Sequence, residues 1–153
     1  MISPEQLRRY PFFGRLSETQ LIEIAMISDH VSFEAGEIIA KEGDLAEALY
    51  FLEEGAVDLY YIPETGSILQ EGYPVGTINP GEPFSISAVI EPHILTSTVR
   101  ASGPCRAIRI QAQALRRLMK NDRQLAYVIT HHAAKAVIER LHATRTQLAA
   151  ARA

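Results

Sequence analysis

The chain has one cysteine, no tryptophan, and neither glycine nor proline from Cys105 to Ala153. A lone Cys105 cannot close an internal disulfide and supplies no thiolate cluster. That excludes a stapled secreted scaffold and a cysteine-rich zinc site, and a reducing compartment is the expected setting. Basic excess is also missing: 15 Lys and Arg stand against 18 Asp and Glu, for a net charge of −3 over 153 residues. Neutralising a phosphate backbone takes a clustered positive surface, so a dedicated nucleic-acid binder is not expected. No apolar run approaches the roughly 20 residues that span a bilayer, and Met1-Ile2-Ser3-Pro4-Glu5 lacks the basic start and apolar stretch of a signal peptide. The expected location is cytoplasmic, without a membrane partner.

What is there is ordinary for a folded chain, with 47% hydrophobic and 22% charged residues, enough to build a core. Glycine and proline divide it. All nine Gly and all eight Pro lie at or before Pro104, and because these residues punctuate turns and destabilise helix interiors, the C-terminal third reads as helical and the middle as turn-rich. Short runs between the turns include His30–Phe33, Glu37–Ala40, Leu49–Leu52, Ala56–Tyr61, Thr96–Ala101 and Cys105–Ile110. Their length, β-branched and aromatic content and spacing of about 8–12 residues predict an antiparallel sandwich or barrel.

Helices flank this region. Ser3-Pro4-Glu5 begins a short one that ends before Tyr10-Pro11, and Ser17-Glu18-Thr19-Gln20 has the capping-box spacing ahead of Leu21, Ile22, Ile24, Ala25 and Ile27. A segment from Ala112 to Met119 precedes Asn121-Asp122, and Asp122 can cap a longer helix from Arg123 towards Ala150. Tyr127, Ala134, Leu141 and Leu148 recur every seventh residue, with Ile138 four after Ala134. This is the seam of a helix pairing with a second helix; the alternative is that the face packs on the chain's own sandwich. At about 28 residues the helix is about 42 Å long, more than a domain of this size covers.

The stretches Phe33-Glu34-Ala35-Gly36-Glu37-Ile38-Ile39, Glu42-Gly43-Asp44, Leu49–Val57, Gly76–Phe84 and Thr98–Ala101 together closely resemble the cyclic nucleotide-binding domains of the Crp/Fnr (catabolite activator) family and of kinase and channel regulatory subunits. The likeness runs over about residues 10–145 and implies a mainly β fold: an eight-stranded antiparallel β-roll of jelly-roll type with short N-terminal helices and a long C-terminal helix that pairs subunits. The implied division is 1–120 for the roll with its N-terminal helices and 121–153 for the long helix, a homodimerisation element. On the residues themselves, Gly36, Gly43 and Gly55 stand where strands reverse and serve as scaffold.

Ligand chemistry in the resembled family is concentrated in a cassette that reads Phe-Gly-Glu, a short apolar helix, a loop, and an Arg ahead of a strand. The Arg neutralises the cyclic phosphate, helix amides add hydrogen bonds, and the Glu accepts from the ribose hydroxyl. Here the run is Phe84-Ser85-Ile86-Ser87-Ala88-Val89-Ile90, so Ser85 replaces the Gly and Ile86 the acid, and Leu95, ahead of Thr96, Ser97, Thr98 and Val99, stands where the Arg is expected. Both charged anchors are absent. Glu82 lies too early, Glu91 at the far end, and Arg100, five residues after Leu95, falls on the opposite strand face. The candidate binding residues are Phe84, Ser85, Ile86, Ser87, Ala88, Leu95, Thr96 and Ser97. Either they enclose a pocket for a less charged ligand, or Ile86 and Leu95 fill that space as core.

Other chemistry finds no support. His30, His93, His131, His132 and His142 form no His-x-x-x-His pair, and neither a Gly-x-Ser-x-Gly elbow nor a phosphate-binding Gly-Lys loop occurs. The C-terminal Arg and Lys residues, Arg140 among them, are spread along helices and mixed with acids, as on a solvated face. The expectation is a non-enzymatic regulatory or sensor module with no cofactor, binding an unidentified protein partner or an atypical small ligand and not DNA. The alternative is a true sensor of cyclic AMP or a related nucleotide, a Crp/Fnr-type regulator lacking its helix-turn-helix.

Overall fold

Two serines open the first two helices in the same way. Ser3 and Gln6, and Ser17 and Gln20, close reciprocal capping boxes at the starts of α1 (Pro4–Arg8) and α2 (Glu18–Met26), each satisfying amides that a helix start leaves unpaired. A 3₁₀ turn, Pro11–Phe13, lies between them. The computed structural model describes residues 2–65, 68, 70 and 72–153. After α2 come β1 (Ser28–Phe33), β2 (Ile38–Ala40), β3 (Ala48–Glu54), β4 (Val57–Tyr61), β5 (Tyr73–Ile78), β6 (Pro83–Phe84), a 3₁₀ turn (Ile86–Val89), β7 (Thr98–Ala101) and β8 (Cys105–Gln111), then α3 (Ala112–Asn121) and α4 (Arg123–Ala151).

The strands form two four-stranded sheets in the orders β1-β8-β3-β6 and β2-β7-β4-β5, with antiparallel pairing throughout. This is the expected mainly β roll with flanking helices. β5 and β6 lie outside the sequence-predicted runs. β5 carries Pro74 and Gly76, which weaken a strand signal, and it is tolerated because it is an edge strand; β6 is two residues long.

The two sheets are buried differently. Leu52, Val57, Leu59, Ile78, Phe84, Val99, Ala101 and Cys105 fill the space between them. The other face of the first sheet, through Leu49, Phe51, Ile108 and Ile110, packs on Leu7, Phe13, Leu21 and Ile24 and on Leu115, Leu125 and Ile129 of the C-terminal helices. β3 and β8 are therefore apolar on both faces, which blurs the alternation that a one-sided strand would show.

Gly36, Gly43 and Gly55 take φ of 82°, 89° and 89°, as their turn positions require. Gly55 is doubly constrained, since a Cβ there would stand 2.7 Å from both the Cys105 Cβ and the Pro104 carbonyl oxygen.

α4 starts as expected, with the Asp122 carboxylate accepting from the Leu125 amide at 3.0 Å. Its docking face, however, is Leu125, Val128, Ile129 and Ala133. Of the heptad residues, Tyr127, Ile138, Leu141 and Leu148 are 68%, 65%, 47% and 53% exposed. The seam does not pack on the roll.

Candidate functional site

The site is built from the chain between β6 and β7. Phe84 is buried and stacks on Tyr50 of β3, with ring centroids 4.8 Å apart and planes 2° from parallel. This anchors the segment where it leaves the sheet. Ser85 then turns it with φ 59° and ψ 44°, a left-handed conformation that costs a residue with a Cβ about 1–2 kcal/mol. It occupies the place where the resemblance puts Gly, and its hydroxyl oxygen is buried without a hydrogen-bond partner. The 3₁₀ turn follows, with the Ala88 amide bonded to the Ser85 carbonyl at 3.0 Å. Ala88 and Val89 point into the helical core, and Arg116 of α3 donates to the Ala88 carbonyl at 2.7 Å.

The return segment is zipped to the turn before β3. The Leu95 amide donates to the Asp44 carbonyl and the Gly43 amide to the Leu95 carbonyl, both at 2.9 Å, and the Ala46 amide donates to the His93 carbonyl at 2.7 Å. Glu91-Pro92 is a cis peptide. Leu95 is held with its side chain only 6% exposed.

Between these segments lies a cavity of about 330 Å³, within the range of small-molecule pockets, about 300–1,000 Å³. Phe84, Ser85, Ile86, Ser87, Leu95, Thr96 and Ser97 all line it. Ala88 does not, because the 3₁₀ turn directs it into the core. Ile86 and Leu95 thus form apolar walls without filling the space. Leu59, Ile78 and Val99 complete the wall from the sheets, and Val137 and Arg140 close it from α4.

Arg140 is the one charged side chain on this lining among the described residues. The sequence pattern puts it on a solvated face, and nothing in its own neighbourhood of the chain corrects that. The cue lies in β5. Gly76 has an ordinary φ, yet a Cβ there would come within 2.9 Å of an Arg140 guanidinium nitrogen. The same nitrogen, Nη1, donates to the Thr77 carbonyl at 3.4 Å.

The other charged candidates are engaged elsewhere. Glu82 accepts from the Asn79 amide at 2.7 Å and closes its own turn, and Glu91 is exposed. Arg100 donates to the Gly36 carbonyl at 3.2 Å and lies 6.0 Å from the centre of the Tyr60 ring, on the other strand face from buried Val99 and Ala101. Arg140 also borders a second cavity of about 320 Å³, shared with Tyr10, Glu82, His132, Lys135 and Glu139. There burial lowers the His132 pKa, helped by the positive charges of its neighbours. Burial pushes the Cys105 thiol up, away from thiolate chemistry. Among the described residues no three His, Cys, Asp or Glu side chains are grouped to hold a metal, and no helix is long and apolar enough to cross a membrane.

Comparison with known proteins agrees with this architecture. The cyclic nucleotide-binding domain family profile matches residues 30–122. A solved structure of a candidate cyclic nucleotide-binding protein from Geobacter metallireducens GS-15 is 39% identical, with a TM-score of 0.83 over 93% of this chain and 100% of that one. The sensor domain of the transcriptional regulator DNR from Pseudomonas aeruginosa, 22% identical, shares the fold at a TM-score of 0.70 over 90% of each chain. The cAMP-dependent protein kinase regulatory subunit of Emericella nidulans is 28% identical over 115 residues, 74% of this chain. The chain spans 27% and 26% of the length of the two kinase regulatory subunits it matches.

Proposed function

The chain belongs to the cyclic nucleotide-binding domain family, and from that premise we propose that it is a non-enzymatic regulatory sensor module whose cavity takes a small ligand other than a cyclic nucleotide. The roll, residues 1–120, forms most of the cavity, and the helix beyond 120 closes it and carries the response to a partner. One observation carries this reading: the cavity occupies the place of the family's phosphate cassette, but Ile86 and Leu95 form its walls there. A cyclic phosphate bound against them would be desolvated without a cation on that side, and an uncompensated buried charge is costly. The exposed heptad residues of α4 favour a second copy of the chain as its partner, and the net charge of −3 does not favour DNA.

Calorimetric titration of the full chain with cyclic AMP and cyclic GMP tests the reading, with no saturable binding expected at micromolar concentrations. Micromolar or tighter binding that Ser85→Trp abolishes would overturn it. The second reading, a true cyclic nucleotide sensor, is favoured by the cavity's remaining open and by the hydroxyl-bearing residues Ser87, Thr96 and Ser97 along it.

A further inference from the structure

Resting on the reading that the cavity takes an atypical small ligand, we propose that this ligand is an amphipathic monocarboxylate, its carboxylate held by Arg140 and its apolar body among Ile86, Leu95 and Val99. The cavity wall is apolar apart from a few hydroxyls and one guanidinium. It therefore matches a molecule with one charged end. A carboxylate has two oxygens, which a guanidinium fork satisfies together. A cyclic nucleotide also brings a ribose and a polar base, whose groups would need partners that this wall lacks.

Arg140 is free to serve. Among the described residues its hydrogen bonding is a single 3.4 Å contact to the Thr77 carbonyl, at the long limit for such a bond, so most of its five donors are available. Gly76 leaves the clearance that the guanidinium needs at that position. Because Arg140 belongs to α4 and Ile86, Leu95 and Val99 belong to the roll, a bound carboxylate that touches both replaces the long Thr77 contact with a stronger charge-assisted one. Occupancy then tightens the link between helix and roll.

The test is calorimetric titration of the full chain with octanoate, with octanol as the uncharged control and cyclic AMP as a separate arm. Octanoate should saturate at one molecule per chain, octanol should bind about tenfold more weakly or less, and Arg140→Ala should remove that difference. Arg140→Lys should restore part of it, and Ile86→Trp, with folding verified by circular dichroism, should block octanoate by filling the cavity. The proposal fails if octanoate shows no saturable binding, or if it binds equally well to Arg140→Ala. Silence from both octanoate and cyclic AMP defeats the carboxylate assignment alone. Tight cyclic AMP binding defeats the reading on which it rests.

Discussion

The two halves of α4 share one helix, one lack of glycine and proline, and opposite surroundings. From Leu125 to Ala133 the helix is locked into the core with Phe13, Leu115 and the face of the first sheet, and Gln20 of α2 donates to the Asp122 carboxylate at 3.0 Å just ahead of it. From Val137 onward the large apolar residues Val137, Ile138, Leu141 and Leu148 are exposed. The first half is held by tertiary packing, whereas beyond Arg140, which reaches the Thr77 carbonyl, the second relies on backbone hydrogen bonds and propensity. An isolated helix of that length is marginal in water, so the distal half is where ligand or partner binding can change order at little cost to the fold.

The sharpest way to break this contrast is truncation on each side. Ile129→Ala, which opens a cavity in a fully buried contact, should cost about 2–5 kcal/mol in chemical denaturation. Leu148→Ala should stay within about 0.5 kcal/mol in the single chain. An equally large loss at Leu148 would mean that the distal half is packed against a partner.

A second prediction concerns the junction. Asp122→Ala removes both the α4 cap and the Gln20 clip and should lower the thermal midpoint, whereas Asp122→Asn should keep most of the cap. The Asp122 pKa is lowered, first by the Gln20 hydrogen bond and then by the Leu125 amide. Its contribution is present above the carboxylate's unfolded range and is lost as pH falls through the folded pKa, so wild type and Asp122→Ala should converge in acid.

A smaller effect is expected at His132, in the packed half beside Phe12 at 5.4 Å between ring centroids. Its pKa is lowered chiefly by burial, so the unfolded chain takes up the proton first as pH falls below about 6.5. Stability should decline from there down to the folded pKa, and His132→Gln should flatten that part of the profile. The smallest effect on folding is expected from Leu141→Asp. If α4 pairs two copies, light scattering should instead show wild-type dimers and mutant monomers; a wild-type monomer at all concentrations would remove the dimer.

How legible all this is in the sequence varies with the range of the interaction that decides it. Gly36, Gly43 and Gly55, Ser17 with Gln20, and Asp122 act within a few residues, and each occupies the structural role its local pattern predicts. β5 is hidden because its edge position, which excuses Pro74, is a property of the whole sheet. The heptad from Tyr127 to Leu148 is a longer and more regular pattern than Leu125, Val128, Ile129 and Ala133, yet the shorter set is the docking face. Only the first turns of the helix have an apolar core to dock on, and beyond them Arg140 reaches β5 by a polar contact. In the site, the residues from Phe84 to Ser97 are legible from the order of motifs. Arg140, about 45 residues further along the chain, enters the cavity only because α4 passes beside Gly76.

Leu95 and Ile86 also set what a charge introduced into the cavity wall would encounter. An arginine replacing Leu95, which is 6% exposed, would be desolvated among Ile86, Leu59 and Val99 on one side, and the acids Asp44 and Glu47 lie on the other, along a neighbouring cavity that Leu95 also borders. A Glu at 86, by contrast, would share its cavity with Arg140. The two positions therefore differ in what a new charge would meet: position 86 faces a cation across its cavity, whereas position 95 has its acids on the far side of the segment.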